Sequence, residues 1–241
     1  VVQRLAPSEE ALAGAMRDAP RDYDLFAHRW FPALIRSRTV CFEQPDAIDF
    51  LVQRVCKAAA ISRGVALDGF GFKNHYACWC ERCEVKRARM ARDEGLNPYD
   101  AMARASEETL VAISETLFGA VKSVDPDAIV MNHLWPPFKP SPYYGSRLRM
   151  DYCSQTISWF YKPVWSLERV RFETKEMKRL EDPSRNQFVP FIACYADEHN
   201  VRSGDRIAAE LSQCGENLVF CNLEAPKRHR GIAEALVTHL R

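Results

Sequence analysis

No stretch of this sequence approaches the ~20 consecutive apolar residues that a helix needs to cross a bilayer. The first thirty residues carry Glu9, Glu10, Asp18, Asp22 and Asp24 where a secretory signal would be free of acid. No membrane partner is expected, and a cytoplasmic location is, with whatever preceded Val1 expected to have been trimmed. An excess of one charge is also missing: Lys and Arg number 33 against 32 Asp and Glu. There is no positive field to neutralise a run of phosphates, so nucleic acid is not an expected partner. Glycine is scarce, and Gly69-Phe70-Gly71 lacks the third glycine of a dinucleotide-binding fingerprint. What remains, 47 % hydrophobic and 27 % charged residues, is ordinary globular composition and excludes disorder.

Cysteine is plentiful, with nine in the chain. Cys56, Cys153, Cys194, Cys214 and Cys221 sit singly in apolar segments and read as small core residues. Cys78, Cys80 and Cys83 instead fall within six residues, a C-x-C-x-x-C string with metal-ligand spacing. Four thiolates would close a tetrahedral zinc shell and leave no position for water, which makes the site structural. Cys41, in a loop just before a helix, is the candidate fourth ligand, and His75 is the alternative.

From about residue 45 the pattern alternates helix and strand. Pro45 suits a first helical turn, and Ile48, Leu51, Val52, Val55 and Ala59 fall on one face behind it. Val65-Ala66-Leu67 then reads as a strand ending at Asp68-Gly69. A helix from Ala101 to Lys122 turns Met102, Leu110, Ile113, Leu117 and Val121 inward and stops at Asp125-Pro126, before a strand from Ala128 to Asn132. Further strands are predicted over Tyr152 to Phe160, Phe188 to Tyr195 and Leu218 to Asn222. Helices follow over Leu167 to Leu180, Ile207 to Gln213 and Ile232 to Leu240.

Apolar strands separated by helices indicate an α/β class with a parallel sheet buried on both faces. A parallel (β/α)8 barrel of TIM type is preferred to a doubly wound sheet. Five units fill residues 64–241, whereas a full barrel needs about 250 residues. The expectation is one domain over 1–241, incomplete or irregular at its N-terminal side, with 1–40 irregular and 41–241 forming the later βα units. Leu134 to Arg149, with four prolines, is predicted as a long loop over the sheet's mouth.

A cysteine before a proline-started helix, a strand ending in an acidic residue, and an aromatic C-x-C-x-x-C loop together resemble the zinc-binding arrangement of glycoside hydrolase family 42 β-galactosidases. They are also similar to the broader glycosyl-hydrolase-like (β/α)8 barrels. The likeness covers mainly Cys41 to Val85. It implies a carbohydrate substrate, a structural zinc, and assembly into a homo-oligomer. Catalytic carboxyls are then expected at the ends of the fourth and seventh strands. With Val65 to Leu67 as the fourth, the seventh is Phe188 to Tyr195, and Glu198 matches the nucleophile. The fourth strand departs from the pattern, with Asp68-Gly69 where that family has Asn-Glu. Asp68-Gly69 also resembles the fourth-strand ending of α-fucosidases and α-galactosidases, which would make Asp68 the nucleophile.

Read independently, the strand ends collect a set of polar and aromatic groups, as barrel active sites do. Glycoside hydrolysis needs two carboxyl groups, one protonating the leaving oxygen and the other attacking or activating water. Asp68 and Glu198 are the candidate catalytic pair, with Asp197 and Glu224 as substitutes. Asn132, His133 and Asp197 are candidates to bind sugar hydroxyls, and Trp135, Trp159 and Tyr161 to stack on sugar faces. The competing expectation is a non-catalytic carbohydrate-binding or assembly barrel that kept the zinc fold and lost the acid/base.

Overall fold

The computed structural model describes residues 41–68, 80–134, 144–157, 165–194, 202–215, 218–221 and 224–241. Helix α1 (Pro45–Ala59) leads to strand β1 (Gly64–Asp68), and helices α2 (Glu81–Glu94) and α3 (Pro98–Val124) precede β2 (Ile129–Leu134). A short 3-10 turn (Tyr144–Arg147) comes before β3 (Tyr152–Thr156), which is followed by α4 (Leu167–Arg179) and β4 (Gln187–Ala193). Helix α5 (Gly204–Leu211), β5 (Val219–Cys221), α6 (Glu224–Arg228) and α7 (Arg230–His239) complete the order.

Local chemistry sets the helix boundaries. The Asn97 side chain accepts the Asp100 N–H at 2.9 Å, so Pro98 stands in the first turn of α3, where it needs no N–H partner. Ser166 and Ser203 cap α4 and α5 in the same way, through the N–H groups of Arg169 and Arg206. Gly95 ends α2 at φ 66°, the left-handed conformation that glycine adopts without strain.

Among the described residues, five strands, all parallel, lie in the order β1-β2-β3-β4-β5. A doubly wound sheet reverses its strand order at a switch point, and the described strands of this sheet do not. With crossovers of the usual hand, sequential order puts every connecting helix on one face. The packing agrees: Val65, Val130 and Cys153 meet Val55, Ala59, Leu110, Leu117 and Val121 in one core cluster. Ile192 and Cys194 meet Ile207, Leu211 and Ile232 in another. Leu110 and Leu117 are fully buried, each contributing about 1.5–3 kcal/mol by leaving water. The architecture is α/β and compatible with a partial TIM-like fold; among the described residues β1 and β5 do not pair with each other.

Several boundaries differ from those the sequence suggests. Helix α3 begins three residues before Ala101, because the Asn97 cap turns Pro98 from a breaker into a starter. Ladder β3 ends at Thr156, although Ile157 N–H still reaches Phe191 O at 3.3 Å. Glu224 opens the short helix α6 and pairs with Lys227 at 2.8 Å. The segment 134–149 contributes the last residue of β2 and the 3-10 turn, and its residues 135–143 lie outside the described set, as do 1–40. Among the described residues, no helix is long and apolar enough to cross a membrane.

Candidate functional site

Among the described residues, two clusters gather groups that could carry chemistry. In the first, Cys41 Sγ lies 3.6 Å from Cys80 Sγ and 3.5 Å from Cys83 Sγ, and the three sulfurs lie within 4.8 Å of one another. Thiolates at about 2.3 Å from one ion in a tetrahedron stand about 3.8 Å apart. The observed separations fit that edge, so Cys41, Cys80 and Cys83 could hold a metal ion. Cys41 and Cys83 are buried and Cys80 half-buried, as a structural site requires. Cys80 is the N-cap of α2 and Cys83 sits in its first turn, where the positive end of the helix dipole suits a set of negative sulfurs.

The loop carrying Cys41 is pinned to α2 by polar contacts as well. Lys86 Nζ donates to Glu43 Oε1 at 3.0 Å and to Thr109 Oγ1 at 2.5 Å, and Thr109 also bonds Glu43. Arg82 reaches the Glu43 carbonyl at 3.4 Å. Cys78 and His75, the sequence's other candidate ligands, lie outside the described residues.

The second cluster stands at the carboxyl ends of the strands, where the register puts Asp68 beside His133 and His133 beside Ser154. Strand residues alternate faces. Val65, Val130 and Cys153 face the helices, so Asp68, His133 and Ser154 share the opposite face. His133 Nδ1 lies 3.3 Å from Ser154 Oγ, and its ring packs on Phe191 with centroids 3.8 Å apart. Asp68 is exposed, His133 is 8 % exposed and Ser154 is fully buried. Burial of the imidazole lowers its pKa from the ordinary 6.5 to about 4, while the charge of Asp68 pulls it upward.

Asn132 is paired with Leu67 and Cys153 and therefore lies on the helix side, apart from His133. It is fully buried there, and its amide has no hydrogen-bond partner among the described residues; Gln155, two positions beyond Cys153 on the same face, is alike in both respects. The structure thus brings Asp68 and His133 together and does not bring Asn132 to them. Glu198, Asp197, Trp135, Trp159 and Tyr161 lie outside the described residues. Ser154 was not singled out from the sequence, because a lone serine in a strand carries no pattern. Only the register places it beside a histidine.

The root of the 195–201 segment is firmly held. Arg202 donates to Ala193 O, at the end of β4, at 3.2 Å and to Glu210. Arg206 donates to the same Glu210 oxygen at 2.6 Å and to Trp165 O at 2.6 Å. Desolvation, with Arg206 adding repulsion, lowers the Arg202 pKa to about 10. Among the other cysteines, burial pushes the Cys153 and Cys214 thiols up to about 12, which suits inert packing groups rather than nucleophiles.

No family model and no curated protein matches the sequence. Among solved structures, the chain is similar to a polyextremophilic β-galactosidase from the Antarctic haloarchaeon Halorubrum lacusprofundi. The TM-score is 0.52 at 13 % identity, over 76 % of this chain and 37 % of that one. At that identity the likeness concerns the fold, and the chain spans a little over a third of the β-galactosidase's length.

Proposed function

We propose that this chain acts on glycosidic bonds, with Asp68 and Glu198 as its paired carboxyls and a structural zinc bracing the frame. The observation that carries the reading is the thiol triad at tetrahedral spacing, gathered from before and after a parallel strand that ends in an exposed carboxylate. The sequence resemblance to family 42 β-galactosidases rests on these same residues, and the structural neighbour supports a glycoside-hydrolase-like fold and no finer family. Cys41, Cys80, Cys83 and, from the 69–79 segment, Cys78 would hold the zinc. Such a closed thiolate shell activates no water and serves to fasten the loop of Cys41 to the start of α2. Hydrolysis needs one carboxyl to protonate the leaving oxygen and a second to attack the sugar or activate water. Asp68 stands at the mouth of the sheet beside His133, and Glu198 follows β4 on the segment whose root Arg202 clamps. His133 offers a neutral imidazole to sugar or carboxylate oxygens.

The test is turnover of an aryl-glycoside panel, galactosides first, by wild type, Glu198→Gln and Asp68→Asn. Wild type should release the phenol, and each variant should lose at least about a hundredfold in rate with its melting temperature kept. An inert wild type, or a Glu198→Gln variant at the wild-type rate, would refute the reading. Asp68-Gly69 in place of Asn-Glu favours one second reading, a carbohydrate-binding barrel without catalysis. Sugar binding that survives alanine at both carboxylates, with no hydrolysis by wild type, would select it.

A further inference from the structure

Three adjacent parallel strands place Asp68, His133 and Ser154 in lateral register on one face. Among the described residues, the fully buried Ser154 hydroxyl meets one partner, His133 Nδ1 at 3.3 Å. A hydroxyl has a proton to give as well as lone pairs to offer. Were Nδ1 protonated, that ring N–H would donate to Oγ, and the hydroxyl proton would be left in a buried site without an acceptor, at a cost of about 1–3 kcal/mol. With Nδ1 bare, the hydroxyl donates to it and the conflict disappears.

We infer that Ser154 is a positioning residue, whose O–H···Nδ1 bond fixes His133 as the Nε2–H tautomer and so presents a hydrogen-bond donor on the face that carries Asp68. This rests on the reading of that face as the carbohydrate site. The ring plane is held as well as the proton, because Phe191 packs against the imidazole at 3.8 Å between centroids. An Nε2–H donor selects an oxygen acceptor, such as a sugar hydroxyl on the face where Asp68 stands in register and its charge reaches His133. An imidazolium would donate from both nitrogens and strand the serine proton, so the arrangement serves a neutral ring. Ser154 thereby acts through His133 on the face that carries Asp68, without touching substrate.

The experiment uses the full chain labelled with 15N-histidine. Its six histidines give a sparse long-range 1H–15N correlation spectrum, in which a His133→Gln sample identifies the His133 signals. At pH 7 the wild type should show a single Nε2–H tautomer for His133. Ser154→Ala should show a mixture of tautomers, and Ser154→Thr, which keeps the hydroxyl, should restore the single form. In turnover of the aryl glycoside, Ser154→Ala should lower kcat roughly ten- to hundredfold with KM little changed, and Ser154→Thr should recover most of it. An Nδ1–H tautomer in wild type, or an unchanged tautomer in Ser154→Ala, overturns the inference. Were no glycoside hydrolysed by wild type, the proposed function would fall, and the tautomer spectra would still decide the role of Ser154.

Discussion

Acidification from pH 7 to pH 5 is expected to cost the folded state about 2 kcal/mol through His133 alone. The imidazole is 8 % exposed, and its pKa falls from 6.5 to about 4 because burial disfavours the charged form, against the upward pull of Asp68. Between those two values the unfolded chain takes up a proton that the folded chain does not. Stability is therefore complete above about pH 6.5 and declines as the pH drops toward 4, reaching a loss of about 3 kcal/mol over the whole window. The assay is urea unfolding at pH 7 and pH 5 for wild type and His133→Gln, with the difference between their pH dependences isolating this one group. Wild type should lose about 2 kcal/mol more than the variant across that interval. Equal losses, within about 0.5 kcal/mol, would show that His133 is as easily protonated in the fold as in the unfolded chain, and the buried neutral imidazole would be refuted.

Two further predictions concern the frame. A Cβ on Gly204 would sit 2.5 Å from the backbone carbon and oxygen of Gly231, whereas one on Gly231 would meet Gly204 atoms at an ordinary 3.5 Å or more. Gly204→Ala should therefore push α5 from α7 and cost about 1–3 kcal/mol. Gly231→Ala should be neutral or stabilise by up to about 1 kcal/mol, and equal melting temperatures for the two variants would contradict the close crossing. Glu210 is fully buried and neutralises both Arg202 and Arg206. Glu210→Gln should destabilise by about 3–5 kcal/mol because two guanidinium groups are left facing one another; a change below about 1 kcal/mol in urea unfolding would show the network to be solvated.

Elements with a strong period were readable from the chain. Leu110, Ile113, Leu117 and Val121 mark the inner face of α3 by spacing alone, and all four are buried. The pairing of Cys80 with Cys83 was readable from the C-x-C-x-x-C spacing, and Cys41 from its place in a loop just before a helix. What could not be read was lateral. Asn132 and His133 look like one polar pair at a strand end, yet successive strand residues point to opposite faces, and only His133 joins Asp68. Ser154 and Gln155 repeat the lesson on β3, since register across strands is set by distant packing. The Arg202–Glu210–Arg206 network was missed for a related reason: its partners meet only when α5 folds back against the end of β4.

Counting Asp68 as the end of the fourth barrel strand, and Glu198 as following the seventh, depends on the metal loop that anchors the count. The metal content of protein purified without added metal tests this most directly, measured by elemental analysis on wild type and Cys80→Ser. The account predicts about one zinc per chain, lost or much weakened in the variant. A folded wild type with no bound metal and freely titratable Cys41, Cys80 and Cys83 thiols would contradict it.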